Sequence, residues 1–161
     1  MAHLRQLRDD PPRLCRRALA GLTALRALPE VDGRAAGVGF CFGGMAVLAL
    51  ARQQTDLAGV ISMHGSLATG QPAVPGAVKA KVLVCHGARD PHVPLEDVTA
   101  FIQEMTQAGA DWQLIAYGTA MHGFTHTAAV PAATPGVAYD AMADHRSFQA
   151  ARQFLTELFP A

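Results

Sequence analysis

The chain has 161 residues, of which 50% are apolar and only 16% charged. This excludes a disordered polymer and suits one folded domain over residues 1–161. Thirteen basic residues balance thirteen acidic ones, and the isoelectric point is near 7.1. The charge pattern therefore carries no electrostatic footprint for nucleic acid or an anionic membrane surface.

The N-terminus, MAHLRQLRDDPPRLCRR, has no apolar core of a signal peptide. Met45–Ala51, the longest apolar run, is far shorter than the roughly 20 residues a membrane-spanning helix needs. Three widely spaced cysteines, Cys15, Cys41 and Cys85, form no CxxC pair, so a reducing, cytoplasmic setting is expected. A first helix is predicted behind Asp9-Asp10-Pro11-Pro12, with Leu14, Ala18, Leu22, Leu25 and Leu28 at helical spacing up to Pro29. Arg34–Phe40 reads as a strand and Gly43–Gln53 as a buried helix. Leu57–Met63 and Lys81–Cys85 read as strands, separated by a Gly/Pro/Ala loop over Gly65–Gly76. Leu95–Ala108 is an amphipathic helix closed by Gly109, Trp112–Tyr117 a fourth strand, Gly118–Pro135 a loop and Tyr139–Phe159 a final helix. The strands are continuous apolar runs joined by crossovers long enough for helices. The expected class is therefore α/β, a mostly parallel sheet of about four strands flanked by helices.

The glycine-rich turn after the first strand, Gly37-Val38-Gly39-Phe40-Cys41-Phe42-Gly43-Gly44, admits two readings. A dinucleotide loop would need an acidic residue about 20 positions on, at the end of the next strand. That strand ends in Met63-His64-Gly65. The other reading is a nucleophile elbow, G-x-C-x-G, with Gly39 and Gly43 giving strand and helix room to approach. It puts Cys41 at a helix N-terminus, which favours the thiolate, and makes the Phe42 N–H an oxyanion donor. Cys41 as a small buried hydrophobe is the plain alternative. Two later strand ends weigh against that alternative. Asp90 follows the third strand in His86-Gly87-Ala88-Arg89-Asp90-Pro91, and His122 follows the fourth in Met121-His122-Gly123-Phe124. Nucleophile, acid and base thus stand in elbow-enzyme order at the sheet edge where open α/β sheets bind ligands.

The segments GVGFCFGG (37–44), HGARDPHVP (86–94) and MHGF (121–124) resemble the dienelactone hydrolase family of the α/β-hydrolase superfamily, from about Arg34 to the C-terminus. The resemblance implies hydrolysis of a small-molecule ester or lactone through a thioester, with Cys41 as nucleophile, His122 as base and Asp90 orienting His122. It calls for no cofactor.

Three departures stand out. Where the family often has arginine two residues after the phenylalanine, this chain has His126, a weaker anion clamp or a plain loop residue. The strands that would supply a second oxyanion N–H and an upstream glutamate are not found before the elbow. The chain therefore reads as the C-terminal portion of a larger fold, with its elbow strand at a sheet edge that invites pairing with a second copy. A truncated remnant serving as a binding or dimerisation module is the rival reading. His122 and His126 have i, i+4 spacing, but Gly123 opposes a helix there, and no metal site is expected.

Overall fold

The computed structural model describes residues 6–130 and 132–160. Asp10 caps the first helix, α1 (Pro11–Arg26), by accepting the Arg13 N–H at 3.0 Å, and prolines fill the helix's first two positions, where no N–H is needed. The helix stops before the expected Leu28. Proline at 29 disfavours a helical conformation in the residue before it, and Ala27 already serves as the C-cap.

Strand β1 (Ala36–Phe40) leads into α2 (Phe42–Arg52), followed by β2 (Gly59–Met63), β3 (Lys81–Gly87), α3 (Leu95–Gln107), β4 (Trp112–Tyr117) and α4 (Ala141–Leu158). The four strands form one parallel sheet in the order β1-β2-β3-β4. This is the architecture the apolar runs predict. Register aligns Phe40 with Met63 and Met63 with Cys85, so β1 and β2 end level with one another and β3 runs two residues further. The residues that follow them enter a common space.

Strand alternation divides the core. Val60, Val82 and Val84 face Leu48 of α2 and Phe101 and Met105 of α3, with Ala18 and Leu22 of α1 behind. Ile61, Met63, Leu83 and Cys85 face Phe154 and Ala151 of α4, with Phe124 from the loop after β4. A buried ion pair stiffens the first layer. Arg52 at the end of α2 binds both carboxylate oxygens of Glu104 in α3 at 2.8 Å and also donates to the Leu67 carbonyl. Glu104 in turn accepts the Ala73 N–H at 2.7 Å, which pins the 65–76 loop. Val38 and Phe40 remain exposed on β1, an edge strand. Among the described residues no helix is long and apolar enough to cross a membrane.

Candidate active site

β1 ends at Phe40 and α2 begins at Phe42, so Cys41 alone makes the turn, in a positive-φ conformation (φ 51°, ψ −116°). A non-glycine residue pays strain for that backbone, about 1–3 kcal/mol, and it persists only where neighbours hold it. The Cys41 N–H is shared between the Met63 carbonyl at 3.0 Å and His64 Nδ1 at 3.2 Å. Gly39 is sterically required: a Cβ there would lie 2.0 Å from the Gly43 carbonyl oxygen. Gly43 is not, because a Cβ at that position meets nothing within 4 Å. The second close approach belongs to Gly44, whose Cβ would fall 2.9 Å from Gly65 Cα. The expectation that Gly43 makes room is thereby corrected by one position.

Asp90 lies in the tight turn after β3 with its carboxylate fully buried. Its Oδ1 accepts the His92 N–H at 2.8 Å, and its Oδ2 is 2.8 Å from His122 Nδ1. His122 follows β4 and is fixed by its backbone, donating to the Gly136 carbonyl and accepting from the Ala138 N–H, both at 3.1 Å. Its Nε2 reaches Cys41 Sγ at 3.1 Å. The three residues named from sequence thus form one line of hydrogen bonds from β3 through the β4 loop to the elbow.

Electrostatics divides the three cysteines. Burial pushes the Cys85 thiol up to about 11 and raises that of Cys15. Cys41 moves the other way, because the hydrogen bond from His122 outweighs burial, with the His122 charge and the Phe42 N–H adding to the effect. His122 is raised to about 9 by its bonds to Asp90 and Cys41, against burial. Burial pushes the Asp90 carboxyl upward, but the His122 hydrogen bond and the His92 N–H more than offset it and hold it below its ordinary value. The shifts of Cys41 and His122 both run toward the thiolate–imidazolium form of the pair.

A cavity of about 900 Å³ opens over Cys41 and His122. Phe40 and Phe148 of α4 form an aromatic wall, their ring centroids 6.3 Å apart, while His92, His126 and Arg8 supply polar edges. His126 lies in a turn on this rim, its N–H donating to the Gly123 carbonyl at 2.8 Å. Sequence reasoning singled out neither Phe148 nor His64. Phe148 follows the spacing of an ordinary amphipathic helix, and His64 enters the sequence reading only where a ribose-binding acid is sought and among the histidines considered for a metal. Among the described residues no group of three or more His, Cys, Asp or Glu is placed to hold a metal ion.

The dienelactone hydrolase family model matches residues 1–159. An uncharacterized Caenorhabditis elegans protein, K02A2.1, is 40% identical over 155 residues, covering 94% of this chain and 98% of that one. The crystal structure of P91, a dienelactone hydrolase-like promiscuous phosphotriesterase from metagenomic libraries, superposes with a TM-score of 0.88 at 39% identity, over 98% of this chain and 66% of that one. The solved structure m3DLH gives 0.89 at 39% identity, over 97% and 65%. The chain spans just under two-thirds of the length of these two solved proteins. With the family model matched nearly end to end and these relatives alongside, the chain belongs to the dienelactone hydrolase family.

Proposed function

We propose that this chain is a hydrolase of small-molecule esters or lactones that works through Cys41, His122 and Asp90. The observation that carries the reading is the line Asp90–His122–Cys41, with bonds of 2.8 and 3.1 Å and the thiol and imidazole shifted toward an ion pair. The Cys41 thiolate attacks the carbonyl carbon and forms a C–S bond. The carbonyl electron pair moves onto oxygen, where the Phe42 N–H meets it. Collapse expels the alkoxide, which takes the proton from imidazolium His122 and leaves a thioester. Neutral His122 then removes a proton from water, and the hydroxide displaces the thiolate, which restores the ion pair and releases the acid. Asp90 holds the His122 ring with Nε2 toward Sγ and stabilises its positive charge. His126, on the cavity rim, faces the substrate.

Replacing Cys41→Ala abolishes hydrolysis of p-nitrophenyl acetate while the fold, followed by circular dichroism, persists. Parental turnover in that variant refutes the reading. The exposed β1 edge favours a second reading, a binding or dimerisation module without turnover. Labelling of Cys41 by a thiol-reactive ester separates the two: dependence on His122 supports the enzyme, and indifference to His122 supports the module.

A further inference from the structure

His64 follows β2, is 3% exposed and has a positive φ of 41°. The chemistry above does not use it, yet it joins the carboxyl ends of all four strands. Its N–H donates to the Cys85 carbonyl of β3 at 2.8 Å. Its Nδ1 accepts the Cys41 N–H at the end of β1, and its Nε2 is 2.9 Å from Thr125 Oγ1 in the loop after β4. A backbone N–H can only donate, so Nδ1 is the bare nitrogen and Nε2 carries the proton toward Thr125. The ring packs edge-on against His122, with centroids 5.5 Å apart, and against Phe124 at 5.1 Å.

We propose that His64 is a positioning residue: a neutral imidazole, protonated on Nε2, that fixes the elbow amide of Cys41 and, through Thr125, the loop carrying His122. The inference rests on Cys41 being the nucleophile. Cys41 and His64 are both held at positive φ, and the hydrogen bond between them ties the two turns together. Because the Cys41 N–H is already shared by two acceptors, an oxyanion formed at Sγ is left to the Phe42 N–H. Burial, with the charge on His122 adding to it, pushes His64 down to about 4, so the ring keeps its bare nitrogen at neutral pH. The ionisable groups around it are Cys41 on the elbow, Asp90 after β3, and His122 and His126 after β4. A second imidazolium beside His122 would oppose the charge that holds the thiolate.

Two substitutions separate the ring's two bonds. The Asn oxygen in His64→Asn can take the place of Nδ1, whereas the amide in His64→Gln reaches toward Thr125 and leaves the Cys41 N–H without this acceptor. The readouts are the pH profile of Cys41 alkylation by iodoacetamide, kcat and KM for p-nitrophenyl acetate, and circular dichroism. His64→Asn is expected to keep the parental alkylation midpoint. His64→Gln, still folded, shifts that midpoint upward and loses up to about 100-fold in kcat with KM little changed, as misplacement by about 1 Å does. Equal losses in the two variants, or an unshifted midpoint in His64→Gln, overturn the proposal. Should neither variant fold, ¹⁵N spectra of the unaltered chain decide. The proposal requires bare Nδ1, protonated Nε2 and no titration of His64 between about pH 5 and 8, and a protonated Nδ1 or a titration in that range overturns it. Alkylation and tautomer need no ester turnover, so an unaltered chain that fails to hydrolyse esters refutes the hydrolase reading separately.

Discussion

At the residue scale the proposed mechanism rests on a thiolate–imidazolium pair, Cys41 and His122, whose two members would set opposite pH limits. Below the lowered value of Cys41 the thiolate is protonated and attack stops, so kcat/KM falls with acid. Above about 9, His122 loses the proton it must give to the leaving alkoxide, so the rate falls with alkali. A bell-shaped profile of kcat/KM follows, its limits belonging to the pair rather than to either residue. Asp90 is the first cause of the raised His122 value, so Asp90→Asn moves the alkaline limb to lower pH. A limb that stays in place shows that Asp90 does not act on His122. The convergence of Cys41, Asp90 and His122 was legible in the sequence because each lies within five residues of the end of a parallel strand. His64 was not, because its bond to Cys41 spans 23 positions and depends on the register that sets Phe40 beside Met63. The Gly43 expectation missed by one position for a related reason. Which glycine the sheet crowds depends on where Gly65 falls in the next loop, and spacing alone does not reveal that.

At the scale of elements, the four strands and the helices between them were readable from apolar runs and turn residues, with ends displaced by one or two positions. What the pattern could not show is how α2 and α3 are clamped. Arg52 and Glu104 are 52 positions apart, and either alone reads as a solvated helix charge. In the fold their side chains are 3% and 9% exposed. Removing one partner of such a pair leaves a buried charge without compensation and costs about 3–5 kcal/mol. Glu104→Gln is expected to lower the unfolding free energy by that amount in urea titration. It also removes a carboxylate acceptor from the Ala73 N–H, so protection of the 65–76 loop against hydrogen exchange falls with it. A loss under about 1 kcal/mol would mean the pair is screened as a surface pair is.

For the whole molecule, the sparse charge and the open β1 edge belong together. Val38 and Phe40 are 46% and 42% exposed on a strand whose outer hydrogen-bonding edge is unpaired among the described residues. Such an edge is a template for strand addition. We therefore expect this chain to form a homodimer, with light scattering giving twice the 16.9 kDa chain mass and Val38→Lys returning it toward monomer. A monomer at every concentration contradicts this. Phe40 lies both on that edge and in the cavity wall, so pairing would bring a second copy close to the site. The central claim, however, concerns one sulfur atom. Mass spectrometry of the chain, acid-quenched during turnover of p-nitrophenyl acetate and then digested, tests it most directly. One hydroxylamine-sensitive acetyl group on the peptide containing Cys41, absent in Cys41→Ala, is the predicted result. Steady turnover with Cys41 never acylated would contradict it.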